Sequence, residues 1–563
     1  MLDSNPLFPP GNPLSDRILV CVAWPYANYL LHVGQAAGAY LPADIFARYH
    51  RLKGNEVLMV SGSDCHGTPI TVTADKEGIT PQEVIDRYHP KILEVWERFG
   101  ISFDLFTTTL TENHYAVTQD VFKTLLSHDL LYPKTEEYLF DPQAGRFLPD
   151  RYVEGTCPHC GYEDARGDQC DNCGKQLDAV ELLNPRSKMT GATPVLRPSE
   201  HYFLRLSAME APLKEWVAKQ PHWRKNVQNF TLGVLNEGLR DRAITRDISW
   251  GVPVPVEGYE DKRIYVWFDA VIGYLSASKE WAQNSGDAEA WRPFWEDEST
   301  KSYYFIGKDN IPFHTIIWPM MLLGYQGLNL PFDVPANQYV NFSAGQKQSK
   351  SKGTGTWMLE LLNTYAPDVI RFYLTTVLPE TNDTEFREDE LIRANNDMLI
   401  ATWGNLANRV ISMIHRNFDG VVPSAGELSA QSRAITAEAE AAFDAVGGEF
   451  AACHFRGGLQ EAMRLAQSAN KYLDERAPWK AVKTDLTHAG ETLAVALNVI
   501  NALKVLLHPV IPFSTEQLHA GLGLSGSVID QGWTYAEIPA GSKLPPASPL
   551  YVKIDPLATE ANA

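Results

Sequence analysis

"RILVCVAWPYANYLLHVGQAAGAYLPADIFARYHRLKGNEVLMV", residues 17–60, is the stretch on which the fold turns. It opens with a short β-rich apolar run, "RILVCVAW" (17–24), and turns at "PYAN" (25–28). A long helical pattern follows from about His32 to Leu52, then a second buried run, "NEVLMV" (55–60). Strand, turn, helix and strand at these lengths make a βαβ unit, and a βαβ unit implies a parallel sheet. The same rhythm returns later: "RIYVWFDAVIGY" (263–274) and "SYYFIGKDNIPFHTIIWPMM" (302–321) each read as a strand passing into a helix. In open α/β sheets ligands lie beyond the carboxyl ends of the strands. Four segments therefore aim at one crevice: "PYANYLLHVGQ", "SGSDCHGTP" (61–69), the end of "VWFDAVIGY" and "GKDNIPFH" (307–314).

The 563 residues exceed what one hydrophobic core serves, so three or more structural units are expected. Between about 130 and 245 the pattern becomes irregular and reads as an insertion; after about 395 it is helical, Ala-rich and without strand signal. The composition, 44% hydrophobic and 21% charged, is that of a globular chain, and the net charge of -20 gives no overall attraction to nucleic acid or anionic membrane. Binding of a polyanion depends on local potential, so that class of partner stays open. The opening "MLDSNPLFPPGNPLSD" lacks a basic segment before an apolar run and does not read as a signal peptide. The longest apolar stretch, "ETLAVALNVINALKVLL" (491–507), is interrupted by Asn498, Asn501 and Lys504 and is expected to be a buried amphipathic helix. A cytoplasmic location is the expectation.

Four of the seven cysteines cluster in "CPHCGYEDARGDQCDNCG": Cys157, Cys160, Cys170 and Cys173. Two C-x-x-C turns can aim four thiolates at one Zn²⁺, and a closed Cys₄ shell leaves no open position, so such a metal is structural. Two disulfides are the alternative, disfavoured by an odd cysteine count without an export signal. Cys21, Cys65 and Cys453 read as buried small hydrophobes.

"HVGQ" puts His32 and Gln35 on one face of a first helical turn, where free N–H groups suit phosphate, and Gly34 lets a nucleotide approach the backbone. "KQSKSKGTG" (347–355) gathers three lysines among small residues in an acidic chain. By itself it reads as a solvated loop or a loop that closes over phosphates. Together the two motifs resemble the HIGH and KMSKS signatures of class I aminoacyl-tRNA synthetases. "PYAN", "SGSDCHGTP" and "RDISWGVPVP" (246–255) sharpen the resemblance to the methionyl-tRNA synthetase family, over nearly the whole chain.

That resemblance implies a split Rossmann-type catalytic domain of the α/β class, with a zinc-knuckle insertion, followed by an all-α helical-bundle anticodon-binding domain. It divides the chain into 1–128 and 246–336 (the two catalytic halves), 129–245 (connective insertion), 337–400 (stem-contact region with the loop) and 401–563 (helical domain). It implies activation of methionine with ATP and Mg²⁺ to methionyl-adenylate and pyrophosphate, then transfer to tRNA. His32, Gln35, Lys347 and Lys350 are the implied catalytic residues. They contact ATP with Gly34 and Asp309. Mobile ammonium groups can meet the charge that develops on the transferred and departing phosphates. The family's first motif ends in a second His where this chain has Gln35, which hydrogen-bonds but carries no charge; Gln348 stands where Met is usual.

The implied methionine pocket comprises Ala23, Trp24, Tyr26, Asp64, Trp267, Ala270, Tyr274, His314 and Trp318, with Asp64 on the substrate ammonium and aromatic rings against the thioether. Trp24 and Val271 replace the family's common Leu and Pro; read without the family, Tyr274 and Trp318 are core residues. Arg246 is implied on the substrate side. Asn405 and Arg409 (i, i+4 in "WGNLANRVISMIHR") and Trp479 (in "DERAPWKAV") are the implied anticodon readers, against the plainer reading of solvated residues and a core staple. Roughly 310 residues between Gln35 and Lys347 leave no room for a large editing domain. The chain ends soon after the helical domain, and a monomer is expected. A sister synthetase, or an inactive RNA-binding protein permitted by Gln35, remain the rival readings.

Overall fold

The structure is a computed structural model that describes residues 15–555 apart from 168, 169, 171, 174, 176, 343–345 and 348–355. Its centre is a five-stranded parallel sheet in the spatial order Ala336–Asn337, Lys301–Gly307, Arg17–Val22, Glu56–Ser63, Leu105–Thr108. The Arg17–Val22 strand is buried throughout its length after Arg17. Its side chains alternate between two cores. Ile18, Val20 and Val22 join Phe46 and other residues of the helix Leu41–Leu52, whereas Leu19 and Cys21 join Ile272 and Leu275 of the helix Val266–Ser285. A strand covered on both faces is a continuous apolar run, which is why this one stood out in the sequence.

The central strand has its sequence neighbour, Glu56–Ser63, on one side and a strand from far down the chain, Lys301–Gly307, on the other. The strand order reverses here, so the crevice lies at the carboxyl ends of these two strands.

Three expectations are corrected. "RIYVWFDAVIGY" contributes only Arg263–Ile264 as strand, paired antiparallel with Thr245–Arg246 outside the parallel sheet. The rest is the helix Val266–Ser285, buried on most sides, and a buried helix and a buried strand share one apolar composition. The stretch from 130 to 245 is not irregular. Leu131–Asp141 and Val195–Leu204 pair antiparallel from Leu131 opposite Leu204 to Phe140 opposite Val195. Much of this ribbon is exposed on both faces, so no alternation of apolar residues marks it. The third is the helix Leu486–Leu507, whose residues from Ala489 to Leu507 are all buried, so it is not amphipathic. It is long and apolar enough to cross a membrane, yet lies wholly inside the protein. Its polar residues face other parts of the chain: Asn498 accepts from the Ile538 N–H at 2.9 Å and Asn501 donates to the Ala536 carbonyl at 2.8 Å.

A buried ion pair joins the catalytic unit to the helical tail. Arg371, fully buried, donates to Asp44 at 2.6 Å, to the Val510 carbonyl at 2.8 Å and to the Pro509 carbonyl at 2.9 Å. Burial pushes the Asp44 carboxyl up, but Arg48, Arg371 and Ser102 outweigh it and hold it below the usual carboxylate range.

Candidate active site

One wall of the crevice is built by the ends of two adjacent strands. The Ala27 N–H donates to the Asp64 carbonyl (3.2 Å) and the Asp64 N–H to the Pro25 carbonyl (2.9 Å), locking "PYAN" to "SGSDCHG". Asp64 is 3% exposed and accepts from the His66 N–H at 3.1 Å. Among the described residues it forms no ion pair, and Arg151 is the cation whose charge reaches it. Burial first, and the Asp269 charge second, push its carboxyl well above the ordinary value. A buried carboxylate in that state has a place for a cation.

The second wall is aromatic. His314 Nδ1 lies 2.9 Å from the Asn310 carbonyl and so carries the proton, leaving Nε2 to accept from the Tyr274 hydroxyl at 2.8 Å. Burial pushes the His314 imidazole down to about 4, so it is neutral. Trp267 stacks on Phe313 (centroids 4.3 Å apart, 11° between planes) and meets Tyr26 edge-on at 6.3 Å. Trp318 lies deeper, 1% exposed, with its indole N–H on the Tyr304 hydroxyl at 3.1 Å. Ala23 and Ala270 are half-buried. Ala23 is held by its N–H on the Phe305 carbonyl, 3.0 Å. The Trp24 ring is clasped by two glycines: a Cβ at Gly62 would come within 2.4 Å of it, and one at Gly273 within 2.7 Å. The larger residue at 24 thus fits because both neighbours lack side chains.

Behind this wall lies a cluster that sequence reasoning missed. Asp269 accepts from His66 Nδ1 at 2.6 Å and from His114 Nε2 at 2.5 Å, while His114 Nδ1 meets the Ser276 hydroxyl at 2.8 Å. All three are buried. The imidazoles bond the carboxylate directly. Burial pushes Asp269 up, but the two histidines hold it below the carboxylate range, so it stays charged and bears on Asp64.

The "HVGQ" turn is closed on itself. His32 is the N-cap of Val33–Gln35: its Nδ1 accepts from the Gln35 N–H (3.3 Å), and Gln35 Oε1 accepts from the His32 N–H (3.2 Å). A Cβ at Gly34 would stand 3.1 Å from the His32 ring and 3.5 Å from the Val340 carbonyl. Val340–Phe342 leads directly to Gln346–Lys347, with which it pairs, so the first motif and the root of the lysine loop lie side by side. The backbone of Lys347 belongs to that pairing; Gln348 and Lys350 lie outside the described residues. Asp309, exposed, accepts from the Tyr339 hydroxyl. Arg246 lies over the Tyr265 ring (4.1 Å) and donates to the Ala243 carbonyl at 2.8 Å.

Two further predicted groups lie away from the crevice. The Sγ atoms of Cys157, Cys160, Cys170 and Cys173 lie within 4.8 Å of one another, with Cys157–Cys173 at 3.9 Å and Cys160–Cys170 at 3.6 Å, and none is in a disulfide. Tetrahedral Zn–S bonds of about 2.3 Å put sulfurs about 3.8 Å apart, so the donor set fits Zn²⁺. In the tail, the Arg409 guanidinium lies over the Trp479 ring at 5.3 Å, and that ring is 38% exposed. Asn405 is exposed on the same helix as Arg409, one turn earlier.

A parallel sheet split by an insertion, with "HVGQ" at its first crossover and the lysine loop rooted beside it, defines a class I tRNA synthetase. Residues 18–411 match the family model for class I tRNA synthetases (M), and residues 422–561 match the anticodon binding domain of methionyl tRNA ligase. The chain belongs to the methionyl-tRNA synthetase family. It is 48% identical to a methionine–tRNA ligase of Thermomicrobium roseum over 96% of this chain and 97% of that protein. It is 52% identical to one of Dehalococcoides mccartyi strain BAV1, over 97% and 99%. A crystal structure of Mycobacterium tuberculosis methionyl-tRNA synthetase bound by methionyl-adenylate superposes with a TM-score of 0.79 at 25% identity, covering 96% of this chain and all of that one.

Proposed function

We propose that this crevice joins methionine to ATP, releasing pyrophosphate, and that the methionyl group then passes to the 3'-terminal adenosine of tRNA(Met). Asp64, buried and in no ion pair with another described residue, carries the reading. Tyr26, whose backbone bridges to that of Asp64 and whose ring meets Trp267 edge-on at 6.3 Å, links it to the Trp267–Phe313 stack, a setting for an ammonium at one end and an apolar thioether at the other. Ala23, Trp24, Tyr26, Ala270 and Trp318 complete the pocket, and Arg246 acts at its rim. His32, Gly34, Gln35 and Asp309 take ATP, with Mg²⁺, and Lys347 and Lys350 meet the charge that develops on the phosphates. The methionine carboxylate attacks the α-phosphorus, the bond from that phosphorus to the α,β-bridging oxygen breaks, and the oxygen leaves as part of pyrophosphate; no covalent enzyme intermediate is needed.

Cys157, Cys160, Cys170 and Cys173 hold one structural Zn²⁺, which supplies folding energy to the insertion. The division at 128, 245, 336 and 400 assigns catalysis, insertion, stem contact and anticodon reading to successive segments of a cytoplasmic monomer. The stacked Arg409–Trp479 pair, with Asn405, supports anticodon contact.

The test is ATP–pyrophosphate exchange with each of the twenty amino acids. Exchange driven by methionine alone is expected; preference for another amino acid, or none with any, overturns the reading. For the tail, Trp479→Ala should leave exchange unchanged and lower aminoacylation of tRNA by about 10- to 100-fold, the range for one stacked base. Equal aminoacylation by variant and parent would remove Trp479 from the anticodon interface.

A further inference from the structure

The turn that carries His32 is sewn to a segment far down the chain. The Val33 N–H donates to the Thr356 carbonyl at 3.0 Å, and the Met358 N–H donates to the Leu31 carbonyl at 2.9 Å. His32 and Trp357 are thereby opposite members of an antiparallel bridge. The two bonds flank this pair instead of joining it, and in a pair of that kind the side chains stand closest, on one face.

Trp357 caps the helix Met358–Thr364 and is 9% exposed. It belongs to neither of the two hydrophobic cores that flank the sheet, whereas the next residue, Met358, does. Its ring meets two rings of the first motif's segment instead. It lies edge-on to His32, with centroids 6.3 Å apart and 61° between planes, and tilted against Tyr29 at 5.1 Å. Tyr29 in turn stacks on Tyr88 at 5.7 Å, and Tyr88 sits in the core on the helix Pro81–Phe99. A row of rings therefore runs from the core to His32.

The orientation of the His32 ring matters for its chemistry. Nδ1 accepts from the Gln35 N–H at 3.3 Å, so the ring proton sits on Nε2. A turn of the imidazole about its Cβ–Cγ bond would break that contact and move Nε2. The turn's own backbone guards one side, where a Cβ at Gly34 would stand 3.1 Å from the ring. Trp357 stands at another.

We propose that Trp357 is a positioning residue for His32: its indole, braced by Tyr29 and Tyr88, holds the imidazole so that the Nε2–H points at a phosphate oxygen of ATP. This rests on the reading that His32 takes ATP. A group misplaced by about 1 Å can cost about 10²-fold in rate, so a brace of this kind acts on kcat without touching substrate.

The tests use the full chain. In methionine-dependent ATP–pyrophosphate exchange, Trp357→Met, which keeps an apolar side chain in the space, should lower kcat by about 10- to 100-fold. The KM for methionine should stay within about twofold, because the proposed methionine pocket does not include Trp357. Trp357→Phe keeps a ring edge against His32 and should return kcat to within about threefold of the parent. In a His32→Asn background, adding Trp357→Met should cost less than about twofold, since the residue through which it acts is gone. The same loss in both backgrounds, or an unchanged kcat in Trp357→Met, overturns the proposal. Imidazole ¹⁵N spectra, with His32 assigned by its absence in His32→Asn, give a readout independent of turnover. The parent should show one tautomer, protonated on Nε2, and NOEs from the His32 ring to the Trp357 indole; Trp357→Met should show both tautomers. Missing NOEs in the parent, or the same single tautomer in parent and Trp357→Met, also overturns it. A parent that gives these spectra yet exchanges no pyrophosphate with methionine would sink the proposed function and leave the placement of the ring by Trp357 supported.

Discussion

Asp64→Asn is expected to lower kcat/KM for methionine in ATP–pyrophosphate exchange by about 10²- to 10⁴-fold, the loss that follows when a buried charge pair is deprived of one member. The KM for ATP should stay within about threefold, because the ATP contacts proposed above lie on the "HVGQ" turn and the lysine loop rather than at Asp64. Asparagine keeps the acceptor for the His66 N–H, so the local fold is preserved. Stability should move the other way. The folded-state pKa of Asp64 is raised by burial and by Asp269, so as pH rises above the ordinary carboxylate range the empty site loses stability to this charge. At neutral pH the variant, which has no such charge, should therefore melt higher than the parent. Lower activity with a higher Tm is the signature of a functional residue strained in the empty site. Unchanged kcat/KM for methionine would mean that another group holds the ammonium.

Arg371→Met should destabilise the protein by about 3–5 kcal/mol, because Asp44 would remain buried with part of its partner set gone and two carbonyls of the tail would lose their donor. The readout is the urea midpoint, followed separately by a probe in the tail and one in the catalytic unit. The tail signal should shift most, since Arg371 reaches it at Val510 and Pro509. Adding Asp44→Asn should recover part of the loss by removing the stranded charge. A midpoint equal to the parent's would show that the pair contributes nothing to the union of the two units.

Much of the architecture was legible because burial on both faces writes itself as an uninterrupted apolar run: "ILVCV" and "VLMV" could be read as strands without knowing their partners. The same logic failed at "YVWFDAVIGY", where a helix buried on most sides has the composition of a buried strand. The "HVGQ" and "KQSKS" motifs could be recognised because each is contiguous. The Asp269–His66–His114 cluster was not, since its members come from three separate segments and no spacing along the chain links them. Arg371 was hidden for a related reason. A lone arginine within a helical pattern reads as a solvent charge until Asp44, more than three hundred positions earlier, is seen beneath it. Trp24 was noted as a departure from the family. That it depends on Gly62 and Gly273 could be learned only where the three meet.

The central strand's pairing also sets a timetable for synthesis. Ile18 lies between Val57, which the ribosome delivers almost at once, and Lys301, which comes roughly 280 residues later. At about 5–20 residues per second, that delay is on the order of 15–60 s. Throughout it, one edge of this buried apolar strand has no native neighbour, while the insertion between the two halves is already emerging. An unpaired apolar edge is a template for wrong pairing. The nascent chain thus carries an open apolar edge until Lys301–Gly307 arrives, and a slowed ribosome anywhere between residues 60 and 300 would lengthen that exposure.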